Sequence, residues 1–231
     1  MALLTGIQPG ALTFHFHKVS DWAWVTSHIG YFWQLSRTHL YLAFVAVAIG
    51  LVLALPLGCL AARVPRIYPP ILAVTTMLYS LPSLAVIAFL ASSVTGLSDT
   101  TVILPLATYG LAVLVRSVTE GLNNVPNEVS IAATAMGYRS MRRLVTIELP
   151  AAVPVIIAGL RVATVSSISL VTVGSLIGIG GLGQLFIAGE NTDFPTEIIA
   201  GLVIVAMWAL IFDGLFLLSG RILAPWARRA R

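Results

Sequence analysis

The 231 residues are 58% hydrophobic and only 10% charged, with a mean hydropathy of +0.96. Soluble domains carry about 25% charged residues, so this composition excludes a soluble enzyme, a disordered chain and a nucleic-acid-binding domain. The net charge of +4 comes from basic residues set between apolar runs, as in an integral membrane protein, and the lone Cys59 excludes a disulfide framework or cysteine metal cluster.

Residues 1–13 lack the basic start of a cleavable leader, so none is predicted. Residues 14–33 are rich in aromatics (Phe14, Phe16, Trp22, Trp24, Tyr31, Phe32, Trp33), whose rings favour the membrane interface. They predict an interfacial helix on the outer face, within an extracytoplasmic segment 1–38 that precedes a transmembrane domain 39–231. His15, His17 and His28 stand in this segment without a second ligand cluster, so no metal site is read from them.

A helix needs about 20 mostly apolar residues to cross the hydrocarbon core. Five stretches qualify: 40–62, 71–94, 101–119, 151–177 and 196–219. The fourth is long enough for its first turns to lie among the headgroups. Pro82 inside the second frees a backbone carbonyl and predicts a kink. Tyr79, Ser80, Pro82 and Ser83 at this kink are candidates to line a translocation path; helix–helix packing by small residues is the alternative.

With the N-terminus outside, the inner segments hold eleven of the basic residues and the outer ones only Lys18 and Arg37. The positive-inside rule therefore selects five crossings with the N-terminus outside and the C-terminus inside.

The long inner connection, about 120–150, is rich in helix formers, which points to a docking element rather than a plain loop. Asn127 stands where it would cap a first helix through Met136, with Glu128 in its first turn. Gly137 would end that helix in the left-handed conformation. A second helix is predicted from Ser140 to Leu149, closed by Pro150. Ala132, Ala133 and Gly137 remove side-chain bulk, while Met136, Tyr138 and Met141 add adaptable apolar surface. Arg139, Arg142 and Arg143, at three- and four-residue spacing, would either pair with acids on a partner or hold the loop on the inner side.

The run Ala132-Ala133, three residues, Gly137, nine residues, Ile147-Glu148-Leu149-Pro150 resembles the "EAA" signature of ABC-importer permeases. Ile131 stands where that family has its glutamate. Further stretches are similar to the osmoprotectant (glycine betaine, carnitine, choline) uptake permeases: His39-Leu40, Pro56-Leu57-Gly58, Leu81-Pro82-Ser83-Leu84-Ala85, Ala158-Gly159-Leu160-Arg161 and residues 177–183. The resemblance implies a helix–Gly–helix coupling loop that docks in a groove of a cytoplasmic ATPase. It assigns Ala132, Ala133 and Gly137 to close packing there, and Ile147, Leu149 and Pro150 to anchoring the loop on the bundle. It also implies a second permease subunit, identical or paralogous, and an extracytoplasmic binding protein.

Two other features have plainer readings. The glycine run 178–183 does not follow a strand, so it is no dinucleotide motif; it reads as a tight turn at the outer end of the fourth span, an external gate being the alternative. Asp213, two turns inside the last span, is expected to pair with Arg161 or Arg116.

The sequence thus predicts an all-α, five-span permease subunit in the cell membrane, moving a small quaternary-ammonium solute. No catalytic residues, metal or cofactor of its own are expected. No Gly-x-x-x-x-Gly-Lys-Ser/Thr loop occurs and Lys18 is the only lysine, so ATP and Mg would be bound by the partner ATPase. The alternatives are a permease of the same architecture for another solute such as methionine, a membrane-embedded enzyme, and a self-contained secondary carrier or channel.

Overall fold

The computed structural model describes residues 22–228, and every regular element among them is helical. In chain order these are α1 (Trp22–Ser27), α2 (Ile29–Arg63), α3 (Tyr68–Ser80), α4 (Ser83–Ser93), α5 (Asp99–Asn123), α6 (Asn127–Ala135), α7 (Ser140–Arg143), α8 (Leu149–Val171), α9 (Gln184–Asn191) and α10 (Pro195–Leu223). Without water to satisfy stray backbone groups, apolar runs of this length close their hydrogen bonds internally as helices. Among the described residues, four helical stretches are long and apolar enough to cross a membrane, and a bent pair of shorter helices makes a fifth candidate.

Helices α2, α5 and α8 form the centre of the bundle. Ala46, Gly50, Ala54 and Gly58 recur every fourth residue on the face of α2 turned to α5, and all four are buried. A Cβ on Gly58 would stand 2.6 Å from Val118 Cβ, so only glycine permits this approach of the two backbones. Along this seam the core continues in three clusters. One end packs Leu42, Ala46, Leu106, Ile168, Leu182 and Leu185, the middle Ala54, Leu114, Val115 and Ala163, and the other end Val118, Ala152 and Ile156. The outward faces stay apolar, with Val52, Met77, Phe89, Leu202, Leu210 and Ile222 each more than half exposed, as lipid or a partner subunit requires.

The structure departs from the sequence reading in four places. First, the aromatics Tyr31, Phe32 and Trp33 belong to the first turns of α2, which runs unbroken through residue 38, while Trp22 and Trp24 lie on the short helix α1. Residues 14–21, with His15, His17 and Lys18, lie outside the described residues. Second, 71–94 is not one continuous kinked helix. It breaks at Leu81-Pro82 into α3 and α4, bent by 82°, because proline supplies no N–H and its ring excludes the preceding helical turn. Third, Asn127 is the first residue of α6 rather than its cap; the capping position is Pro126 and no side chain bonds there. Fourth, Pro150 closes nothing. Helix α7 passes through a π-helical turn (Leu144–Glu148) directly into α8, and the Leu149 N–H bonds back to the Leu144 carbonyl. The wider turn takes up the backbone misfit that proline imposes on the residues before it. The helical path from Ser140 is therefore continuous with the fourth crossing, and it gives way to 3-10 turns after Val171.

Candidate functional site: the helix–glycine–helix element and its junction

Helix α6 ends in a Schellman arrangement. The Gly137 N–H donates to the Thr134 carbonyl (3.0 Å) and the Tyr138 N–H to the Ala133 carbonyl (3.1 Å), with Gly137 at φ +83°. The chain then turns through extended Arg139 into α7. Gly137 ends the first arm as its sequence position predicts.

The two arms are tied by a charged junction centred on Glu148, in the π-helical turn. Its Oε1 accepts from Arg143 Nε (2.7 Å) and from the Ser130 hydroxyl (3.1 Å), while its Oε2 lies 4.0 Å from a terminal nitrogen of Arg63, at the end of α2. Arg143 also donates to the Thr134 hydroxyl (2.8 Å), and Arg63 donates to the Ser140 carbonyl (2.8 Å). The Glu148 side chain is only 13% exposed. Charge-assisted bonds in such a half-dry position hold geometry more firmly than the same pairs in water.

Around this junction the element leaves an apolar face bare. Ile131, Met136 and Met141 are each about two-thirds exposed, and Val145 more than half. A cleft of about 560 Å³ runs beside them, lined by Asn127, Ser130, Ile131, Thr134, Ala135 and Arg143. Of the residues singled out from sequence, Ala133 is buried, Ala132, Gly137 and Arg139 are exposed, and Tyr138, Ile147, Leu149 and Pro150 are half-buried. The three arginines do not share one free face. Arg143 turns inward to Glu148, Arg142 lies over the Tyr138 ring at 5.0 Å, and Arg139 precedes the one-turn helix α7.

The broken element forms a second arrangement. The Tyr109 hydroxyl on α5 donates to the Leu81 carbonyl (2.8 Å), which satisfies the backbone at the break, and the Tyr79 ring meets Tyr109 edge-on at 5.7 Å. Tyr79, Ser80 and Pro82 are exposed and Ser83 is half-buried. The Ser80 hydroxyl turns back to the Met77 carbonyl.

At the opposite end of the bundle, residues 178–183 form a compact turn with Gly178 and Gly181 at positive φ. Fully buried His39 of α2 reaches both this turn and α8: Nδ1 lies 3.2 Å from the Gly180 carbonyl and Nε2 2.8 Å from the Ile168 carbonyl. Asp213 takes Arg161 as its partner through two bonds, while Arg116 pairs with Glu120 on its own helix. Among the described residues no cluster of three or more metal-ligating side chains forms.

Residues 54–229 match the family model described as "Binding-protein-dependent transport system inner membrane component". The chain belongs to that family. As an inner-membrane transport component it resides in the membrane. Its relatives include a glycine betaine/carnitine/choline transport system permease protein of Bacillus subtilis, 36% identical over 185 residues and 80% of each chain. An osmoprotectant import permease protein of Salmonella typhimurium is 30% identical over 83% of this chain and 91% of its own. A carnitine transport permease protein of Listeria monocytogenes is 32% identical over 78% and 81%. Among solved structures, an amino acid ABC transporter with histidines superposes with a TM-score of 0.71 at 21% identity, over 87% of this chain and 98% of that one. The MetNI methionine ABC transporter in inward-facing conformations gives 0.70 at 23%, over 84% and 96%. At that identity the likeness is one of fold.

Sequence reasoning passed over three residues that organise this transport component. Glu148 fell in the free position of the motif, and the signal was its place five residues after the last arginine of the basic cluster Arg139, Arg142 and Arg143. Tyr109 carried no signal of its own. His39 stood out only within the resemblance, although a histidine inside an apolar run needs buried partners.

Proposed function

We propose that this chain is the permease subunit of an ATP-driven importer, translocating a small compatible solute of quaternary-ammonium type: glycine betaine, carnitine or choline. The names of the curated relatives supply the solute class. Counting α3 and α4 as one broken crossing gives five, and the lysine and arginine bias then sets the N-terminus outside and the C-terminus inside.

The observation that carries the reading is the bare apolar face of the helix–glycine–helix element, on the side where the bias places the cytosol. Ile131, Met136 and Met141 offer deformable apolar contact to a groove on a cytoplasmic ATPase, and Arg139 and Arg142 flank them. ATP and Mg are bound by that ATPase. Such motors work as two-fold pairs, so a second permease subunit, identical or paralogous, completes the channel, and an extracytoplasmic protein delivers the solute. As the ATPase pair closes, the loops move with it, and the bundles rock from inward- to outward-facing. The break at Leu81-Pro82 leaves non-helical backbone at membrane depth, which is tolerated only against protein or a water-filled path. We therefore assign Tyr79, Ser80, Pro82 and Ser83 to the translocation path between the two subunits.

The test is purification of the tagged chain from its native membranes. A cytoplasmic ATPase should co-purify, and proteoliposomes charged with a solute-loaded binding protein should take up labelled glycine betaine, carnitine or choline only with ATP inside the motor's compartment. Uptake driven by an ion gradient without ATP overturns the reading in favour of a secondary carrier. ATP-driven uptake of methionine alone moves it to another solute.

A further inference from the structure

Glu148 lies where α6, the path from α7 into α8, and the end of α2 meet. Through Ser130 it holds α6, the arm with the bare apolar face. Through Arg143, which also grips Thr134, it holds α7 to α6. Through Arg63 it faces the end of α2, and Arg63 in turn donates to the Ser140 carbonyl where α7 begins. Glu148 itself sits one residue before α8. Beside the carboxylate, α6 is tied to α7 by the Arg143–Thr134 bond and by the backbone bonds of the turn at Gly137.

We propose that Glu148 is a positioning residue for transport: it locks the helix–glycine–helix element to the first and fourth crossings, so that displacement of α6 moves both rather than bending the loop. The proposal rests on the coupling role argued above and deepens it. A carboxylate is suited to the position because it accepts several charge-assisted bonds in different directions, and the guanidinium groups of Arg143 and Arg63 bridge onward to Thr134 and Ser140 with their remaining N–H donors. The carboxamide of a glutamine keeps the shape but offers one acceptor oxygen and no charge.

The experiment uses the complex purified through this chain and reconstituted in proteoliposomes, with three readouts: the amount of ATPase recovered, ATP hydrolysis, and solute taken up per ATP hydrolysed. Glu148→Gln should leave recovery and hydrolysis near those of the parent while uptake per ATP falls about fivefold, within the range by which one member of a coupling network changes it. Hydrogen exchange of the full chain in nanodiscs should speed up across residues 127–143. Glu148→Asp, which retains the charge on a shorter arm, should recover part of both. Should Glu148→Gln fail to fold, Arg143→Lys and Ser130→Ala each remove one arm of the junction and should give smaller losses of the same kind. Unchanged uptake per ATP together with unchanged exchange in these variants overturns the proposal and leaves the coupling role standing. A parent complex that contains no ATPase overturns both.

Discussion

Arg161 on α8 grips Asp213 on α10 through two near-parallel bonds, Nε to Oδ1 at 2.9 Å and a terminal nitrogen to Oδ2 at 2.7 Å. The fork geometry fixes the rotation of the last helix against the fourth and leaves no uncompensated charge at membrane depth. Asp213→Asn breaks the fork and strands the guanidinium. The expected result is a lower yield of folded, monodisperse protein from membranes, with the relative uptake of glycine betaine, carnitine and choline unchanged in the fraction that folds. Normal yield with selective loss of coupling would assign the pair a part in transport instead.

His39 and Gly181 are fitted to each other. A Cβ on Gly181 would lie 2.7 Å from the His39 backbone nitrogen, and Gly181 has φ +51°. Gly181→Ala therefore meets both a clash and a strained backbone and should destabilise by about 3 kcal/mol. His39→Leu removes the ring N–H that reaches the Ile168 carbonyl, while the Gly180 carbonyl keeps the Gly183 N–H, and should cost about 2 kcal/mol. Thermal unfolding of the purified protein in detergent measures both. Gly178→Ala, whose Cβ meets nothing within 4 Å, should cost less than Gly181→Ala despite its φ of +84°.

Gly137 separates conformation from packing. Its added Cβ would touch nothing, so Gly137→Ala carries only the left-handed backbone penalty, about 1 kcal/mol. That penalty shifts the angle between α6 and α7, and uptake should fall while the ATPase remains bound. Gly137→Asn, which tolerates the same conformation, should retain more uptake than alanine. Equal uptake in all three proteins would remove the turn from the mechanism.

The break between α3 and α4 gives a labelling experiment. With Cys59 replaced by Ser, cysteines introduced at Ser80 and Ser83 should react with a membrane-impermeant thiol reagent in at least one nucleotide state, because helix-free backbone there faces water or a partner. Protection in every state assigns both to packing. Tyr109→Phe removes the donor to the Leu81 carbonyl and should lower stability by about 1 kcal/mol.

What the sequence made legible follows from the physics that each element obeys. The apolar runs around Leu42, Leu114, Ile168 and Leu210 marked the crossings because a bilayer imposes length and composition on any helix inside it. The Asp213 pairing was legible because a lone acid at that depth admits few partners. The Gly137 turn was legible because the left-handed position selects glycine. The break around Pro82 was not, since a proline announces a bend but not its 82° size, and the hydroxyl that meets the freed Leu81 carbonyl belongs to Tyr109, far along the chain. The continuity through Pro150 was hidden for a related reason. Proline at a helix start and proline behind a π-helical turn read alike along the chain, and only the long bond from Leu149 to Leu144 tells them apart. The inward turn of Arg143 depends on where Glu148 lies in space, which spacing along a single helix does not reveal.

The unbroken rod from Ser140 to Val171 is roughly 45 Å long, enough to reach from one leaflet to the other. Its near end carries the arms locked by Glu148, and its far end presents the Ile168 carbonyl to His39 beside the glycine turn. On the proposed mechanism, a torque applied at the first is carried to the second along this one rod, so the two ends of the bundle move under a shared lever.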